Sequence, residues 1–237
     1  MVKTLAGLPS SRVALVRFAQ VLTVTAGYFI TGWLGLKLPY FGSHITLIWL
    51  PTGIAVAALM RWGVGMWPGV ALGALLVNLA IGSSFLLAVG TAVGNTLAPL
   101  MTAYWLRRVG FDLAFRRQVD VVSFIVASAA GMLISATGGV VNLYLANLVT
   151  AEGMGVAWLT WWIGDAVGLL LAGPLLLPLT RRSLAQLGGK KRSLAVWFLV
   201  AGVIAWLVFI MRYGEAGLRL PLAFLTLPLF AWAALHF

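Results

Sequence analysis

The stretch Trp161-Trp162-Ile163-Gly164-Asp165-Ala166-Val167-Gly168-Leu169-Leu170-Leu171-Ala172-Gly173-Pro174-Leu175-Leu176-Leu177 decides the class of this chain. It holds one charged side chain in an otherwise apolar run. With the residues back to about 155 it is long enough to cross a hydrocarbon core, which takes roughly 20 residues of helix. An acid at the centre of such a helix costs roughly 2.5 to 3.5 kcal/mol, so Asp165 must face protein, water or a ligand. On a helix Trp161 and Trp162 fall four and three residues before the acid and Gly168 three after it, all near one face. Two roles stay open. Asp165 can hydrogen-bond neighbouring spans while Gly164 and Gly168 allow close helix packing, or it can meet a ligand.

Working outward, the same character fills the chain. Of 237 residues 62% are hydrophobic and 9% charged, and the mean hydropathy is +1.04. Ordinary soluble domains are roughly 45–50% apolar and about 25% charged. The sequence therefore predicts an all-α fold: a polytopic integral membrane bundle of about eight spans. They lie near 15–36, 45–61, 63–82, 84–106, 120–148, 155–179, 194–211 and 219–237. Residues 1–237 form a single membrane domain, because no polar stretch approaches the 50 or so residues of a soluble one. Lys3, Arg12 and Arg17 ahead of an apolar run imitate a signal peptide, but no small-residue cleavage site follows. The run reads as a retained first span. Without cysteine there is no disulfide, thiolate metal site or thiol nucleophile.

A net charge of +11 raises nucleic acid as a partner, and the distribution of that charge argues against it. With the N-terminus cytoplasmic, the inner segments hold thirteen basic residues, among them Arg61, Arg107, Arg108, Arg116, Arg117, Arg181, Arg182, Lys190, Lys191 and Arg192. The outer segments hold three: Lys37, Arg212 and Arg219. Cytoplasmic enrichment of Lys and Arg is the determinant of orientation, so both termini are expected in the cytoplasm. The loops at 107–119 and 180–193 should meet anionic lipid headgroups.

Other polar side chains at comparable or shallower depth are Asn78, Asn95, Asn142 and Asn147. Singly such amides serve as interhelical glue; with Asp165 they outline a cavity open to the outside. The second span opens Ile48-Trp49-Leu50-Pro51-Thr52-Gly53, where Pro51 removes a helix hydrogen bond. That is either a mild kink or exposed backbone lining a wet cavity. Gly69 with Gly73 and Gly90 with Gly94 have packing spacing. Trp67-Pro-Gly-Val-Ala-Leu-Gly-Ala-Leu-Leu echoes Trp162-Ile-Gly-Asp-Ala-Val-Gly-Leu-Leu-Leu, by chance or as an inverted repeat.

Catalytic patterns are not found. His44 and His236 have no metal-ligand spacing, and the glycines lie inside apolar helices instead of in a phosphate loop. Asp112 and Asp120 lie at the opposite side from Asp165, which speaks against an aspartyl pair, and Asp120 reads as a helix N-cap. No enzymatic activity, cofactor or metal is expected. The candidate ligand-binding residues are Asp165, Asn78, Asn95 and Asn142 as polar walls, with Trp49, Pro51, Trp161 and Trp162 beside them.

The ordered series Trp49-Leu50-Pro51-Thr52-Gly53, Trp67-Pro68-Gly69 with Gly73 and Asn78, Gly94-Asn95, Asp120-Val121, and Trp161-Trp162-Ile163-Gly164-Asp165 with Gly168 and Pro174 resembles the bacterial membrane-associated sensor (MASE) domain of the first type. The terminal Pro228-Leu229-Phe230-Ala231-Trp232-Ala233-Ala234-Leu235 is similar to that family's late span, so the likeness covers roughly 20 to 237. It implies an input module in the bacterial inner membrane, followed by a cytoplasmic histidine kinase, diguanylate cyclase or phosphodiesterase. Where the family usually has arginine after Ala-Ala-Leu this chain has His236 and ends one residue later. A domain truncated ahead of its output is the expectation.

Two functions compete. In the first, a small ligand or a membrane state shifts the packing of the spans and the C-terminal helix passes the shift to a signalling domain, with a second copy of the chain as a further partner. In the second the chain is a small transporter, or the membrane-embedded binding subunit of an uptake system.

Overall fold

The structure, a computed structural model, describes residues 9–37, 44–179 and parts of 192–200. The chain divides into two units, Met1–Pro178 and Leu179–Phe237. In the second unit the described positions between 192 and 200 are helical. Most of the expected span 194–211 and all of 219–237 lie outside the described residues.

The described part of the first unit is built from α1 (Ser10–Gly35), α2 (Leu50–Trp62), α3 (Trp67–Ala80), α4 (Phe85–Arg108), α5 (Gln118–Leu145) and α6 (Met154–Leu176), with a 3-10 turn at Val64–Met66 ahead of α3. They pack as a closed ring in the order α1, α3, α4, α5, α6, α2 and back to α1, with α2 also touching α4. Among the described residues four helices, α1, α4, α5 and α6, are long and apolar enough to cross a membrane. The outward surface is apolar as well. Leu86 is 80% exposed and Leu175 71%, which water would penalise and lipid tails accept.

The second and third expected spans need correction. At 13 and 14 residues, α2 and α3 rise only about 20 Å each, against a core of about 30 Å. The helix expected from residue 45 starts at Leu50, and 44–49 is non-helical. Pro51 is the reason. Inside a helix a proline loses a hydrogen bond and its ring clashes with the carbonyl four residues back, here that of Leu47, whereas in the first turn its missing N–H leaves no bond unmade. Pro51 therefore opens α2 and does not kink a longer helix; Pro68 likewise falls in the first turn of α3.

Non-helical backbone at membrane depth needs burial and partners, and the ring supplies both. Gly32 of α1 lies against Trp49 and Pro51. The Trp49 N–H donates to the Gly164 carbonyl of α6 at 2.9 Å. The Thr46 carbonyl rests on Gly164 and the Trp49 carbonyl on Gly168, so close that a Cβ at either glycine would collide with backbone. These two glycines therefore admit a non-helical segment across α6, where one of the two readings of the sequence has them packing helix on helix. Helix packing does use Gly69 and Gly73, which bring α3 onto Val24 and Tyr28 of α1.

Arginines tie one end of the ring together. Arg61 Nη1 donates to the Leu177 carbonyl at 2.7 Å and the Leu176 carbonyl at 3.3 Å, holding the C-terminal end of α6. Arg107 donates to the Leu59 carbonyl of α2. Orphan carbonyls at helix ends need such donors. The α4–α5 connection folds over Phe111, Phe115 and Phe124, whose rings meet at 5.0 to 6.0 Å. Asp120 sits three residues inside the start of α5 and closes a capping box with Arg117. It is thus not the N-cap residue. Its carboxylate also accepts from the Asp112 N–H at 3.1 Å and pairs with the Arg117 guanidinium, which Asp120 holds charged by raising its pKa.

Candidate functional site

Asp165 lies midway along α6 and is 1% exposed. Thr52 Oγ1 of α2 donates to its Oδ1 at 2.9 Å, and the Ser135 hydroxyl of α5 donates to its Oδ2. Three helices therefore converge on one carboxylate. Thr52 is in place because it lies in the first turn of α2, directly after the segment 44–49 that crosses α6.

Beside the acid lies a cavity of about 20 Å³, lined by His44, Ile45, Thr46, Trp49, Thr91, Asn95, Trp161 and Asp165. The non-helical segment forms one wall and α4 and α6 the others. Asn95 is 5% exposed and its Oδ1 has no hydrogen-bond partner. Its amide bonds the hydroxyl of Tyr28, a fully buried residue of α1, which also accepts from Trp49 Nε1 at 3.3 Å. The Tyr28 and Trp49 rings meet edge to face at 6.2 Å. A larger groove of about 350 Å³ between α3 and α4, walled by residues such as Trp67, Leu75, Val93 and Leu100, offers almost nothing to recognise a polar ligand.

Of the eight residues singled out from sequence, the structure gathers Asp165, Asn95, Trp49 and Trp161 around this cavity. Asn142 stands one step back: its Nδ2 donates to Thr91 Oγ1 at 3.1 Å and to the Leu87 carbonyl at 2.8 Å. Pro51 opens α2 with its ring toward Gly32. Trp162 turns to the α5 side, donating to the Ala129 carbonyl at 2.7 Å and stacking on Trp158. Asn78 is buried in α3, where Nδ2 donates back to the Ala74 carbonyl. Asn147 ends α5 in the left-handed region at φ 58° and is exposed.

Thr52, Ser135, Thr91, Thr46, His44 and Tyr28 are parts of the site that sequence reasoning missed. A signal for some of them was present. Ser128, Ser135 and Asn142 recur every seven residues along α5, and Thr91, Asn95 and Thr102 lie on matching offsets along α4. Such spacing lines one helical face, and in an apolar helix a polar face must meet protein.

A helical membrane bundle closed around a buried, hydroxyl-bound acid, with one wall of the site made from unwound backbone, is the class that fold and site define. The family model of MASE1 matches residues 19–237. The chain belongs to that family of membrane-associated sensor domains, in which the module is a sensory input and not a catalytic unit. No curated protein and no solved structure matches it.

Proposed function

We propose that this domain is the input half of a bacterial signalling protein of the inner membrane, driving a histidine kinase or a cyclic-di-GMP enzyme, and that it senses through the cavity beside Asp165. The observation that carries this reading is the joint made there. The acid of α6, a hydroxyl of α2, a hydroxyl of α5 and the backbone of 44–49 meet at one point. A ligand that prefers one spacing of these elements shifts their equilibrium by its difference in affinity, and α6 carries the shift toward the C-terminal part of the chain.

Two measurements test it. Reading the gene beyond residue 237 should find a helical linker and a kinase or cyclic-di-GMP domain; a stop codon beside genes for an ATPase would overturn the reading in favour of uptake. In the protein carrying that output, Asp165→Asn keeps the volume and one acceptor, so insertion and abundance should persist while the response is locked or abolished. Normal signalling from this variant would return Asp165 to a packing role.

A further inference from the structure

We propose that the cavity beside Asp165 binds one dehydrated monovalent cation of about sodium's size, held by the Asp165 carboxylate and Asn95 Oδ1 with the Thr91 and Thr46 oxygens around it. The inference rests on the cavity being the sensing site and names the class of ligand it takes.

Charge comes first. Each oxygen of Asp165 lies against a hydroxyl, Thr52 on one side and Ser135 on the other, and an ionised carboxylate would accept from both. Among the described residues the ion pairs are Arg116 with Asp112 and Arg117 with Asp120, and no cationic side chain pairs with Asp165. A buried charge without a counter-charge is strongly unfavourable. A second observation points into the same space. Asn95 Oδ1 is buried with no donor aimed at it, and an unmet buried acceptor carries its full desolvation cost.

Size and stoichiometry then select among ligands. A volume of about 20 Å³ exceeds the roughly 10–15 Å³ that a water-sized particle needs. It is far below the roughly 300–1,000 Å³ of an organic-ligand pocket. One carboxylate among neutral oxygens balances one positive charge. Calcium takes six to eight oxygens with several carboxylates, and among the described residues no cluster of three or more His, Asp or Glu exists to hold a divalent metal. A water molecule would fill the space and leave the charge. A proton would neutralise the charge and give Asn95 nothing.

The test is a melting curve of the purified full chain in lipid nanodiscs, with sodium chloride replaced stepwise by choline chloride at constant ionic strength. The melting temperature should rise with sodium and saturate. Asp165→Asn should abolish this dependence. Because that variant also changes the hydrogen bonds at the joint and so shifts the baseline melting temperature, Asn95→Ala provides a second measure, with the half-saturating sodium concentration raised at least about tenfold, equivalent to 1.4 kcal/mol. Identical melting in sodium and choline, or sodium dependence undiminished in both variants, would overturn the cation site. If sodium has no effect while Asp165→Asn still locks the output, the cation fails and the sensing site stands. Sodium binding with normal signalling from Asp165→Asn leaves the cation and removes the sensing role.

Discussion

The clearest residue-scale statement concerns two glycines that look alike in sequence and differ in what surrounds them. Gly168 lies under the Trp49 carbonyl, whereas nothing approaches the position a Cβ would take at Gly155, in the first turn of the same helix. Gly168→Ala should therefore destabilise by about 1–3 kcal/mol, the usual range for overpacking a tight contact. Gly155→Ala should stabilise by up to about 0.5–1 kcal/mol through chain entropy. Unfolding in mixed micelles measures both, and equal effects would contradict the crossing of 46–50 over α6. Asp165 was legible from sequence because an ionisable group in an apolar run has nowhere innocuous to go. Its partners were not. Thr52 and Ser135 are unremarkable in composition and gain meaning only when three helices are brought to one point.

At the scale of elements, the short α2 is where hydropathy misleads. Ile45, Leu47, Ile48, Trp49 and Leu50 are as apolar as any spanning helix, and apolarity reports burial without reporting backbone conformation. The signal that did exist was Pro51, whose ring would meet the Leu47 carbonyl of any helix begun at residue 45. The α4–α5 connection is the opposite case, a loop rich in arginine that is bound tightly to itself. Arg117 donates to the Gly110 carbonyl at 2.6 Å as well as to Asp120, so part of its donor capacity is spent inside the protein and is not available to headgroups. Arg117→Met should open this loop and speed proteolysis between Gly110 and Phe115, because the buried Asp120 carboxylate is left without its partner. Adding Asp120→Ala to that variant should restore less than full protection, since the Asp112 N–H and the start of α5 lose their acceptor too. A loop equally resistant in wild type and Arg117→Met would show that the aromatic cluster alone closes it.

At the scale of the whole molecule the helical class followed from composition, and the ring order did not, because hydropathy carries no information about which spans are neighbours. Orientation rests on the distribution of basic residues. A reporter fused after Arg117 should give the cytoplasmic signal and one near Glu152 the periplasmic signal; the reverse would invert the bundle. Arg61 and Arg107, counted among the inner basic residues, hold the carbonyls of neighbouring helices at one end of the ring.

The crossing of 46–50 over α6 also sets how that helix can travel. Gly164 and Gly168 are one helical turn apart and are followed at the same interval by Ala172, already against Gly53 of α2. An axial slide by any fraction of a turn drives a side chain into the Thr46 or Trp49 carbonyl. A full step of about 5.4 Å finds no second seat either, because it brings Ala172 beneath Trp49 or, in the other direction, Thr160 beneath Thr46, and either Cβ meets the carbonyl. The crossing thus works as a stop: α6 keeps its notch, and any push that arrives along it is handed to 46–50 and to the α2 that follows instead of being spent in sliding.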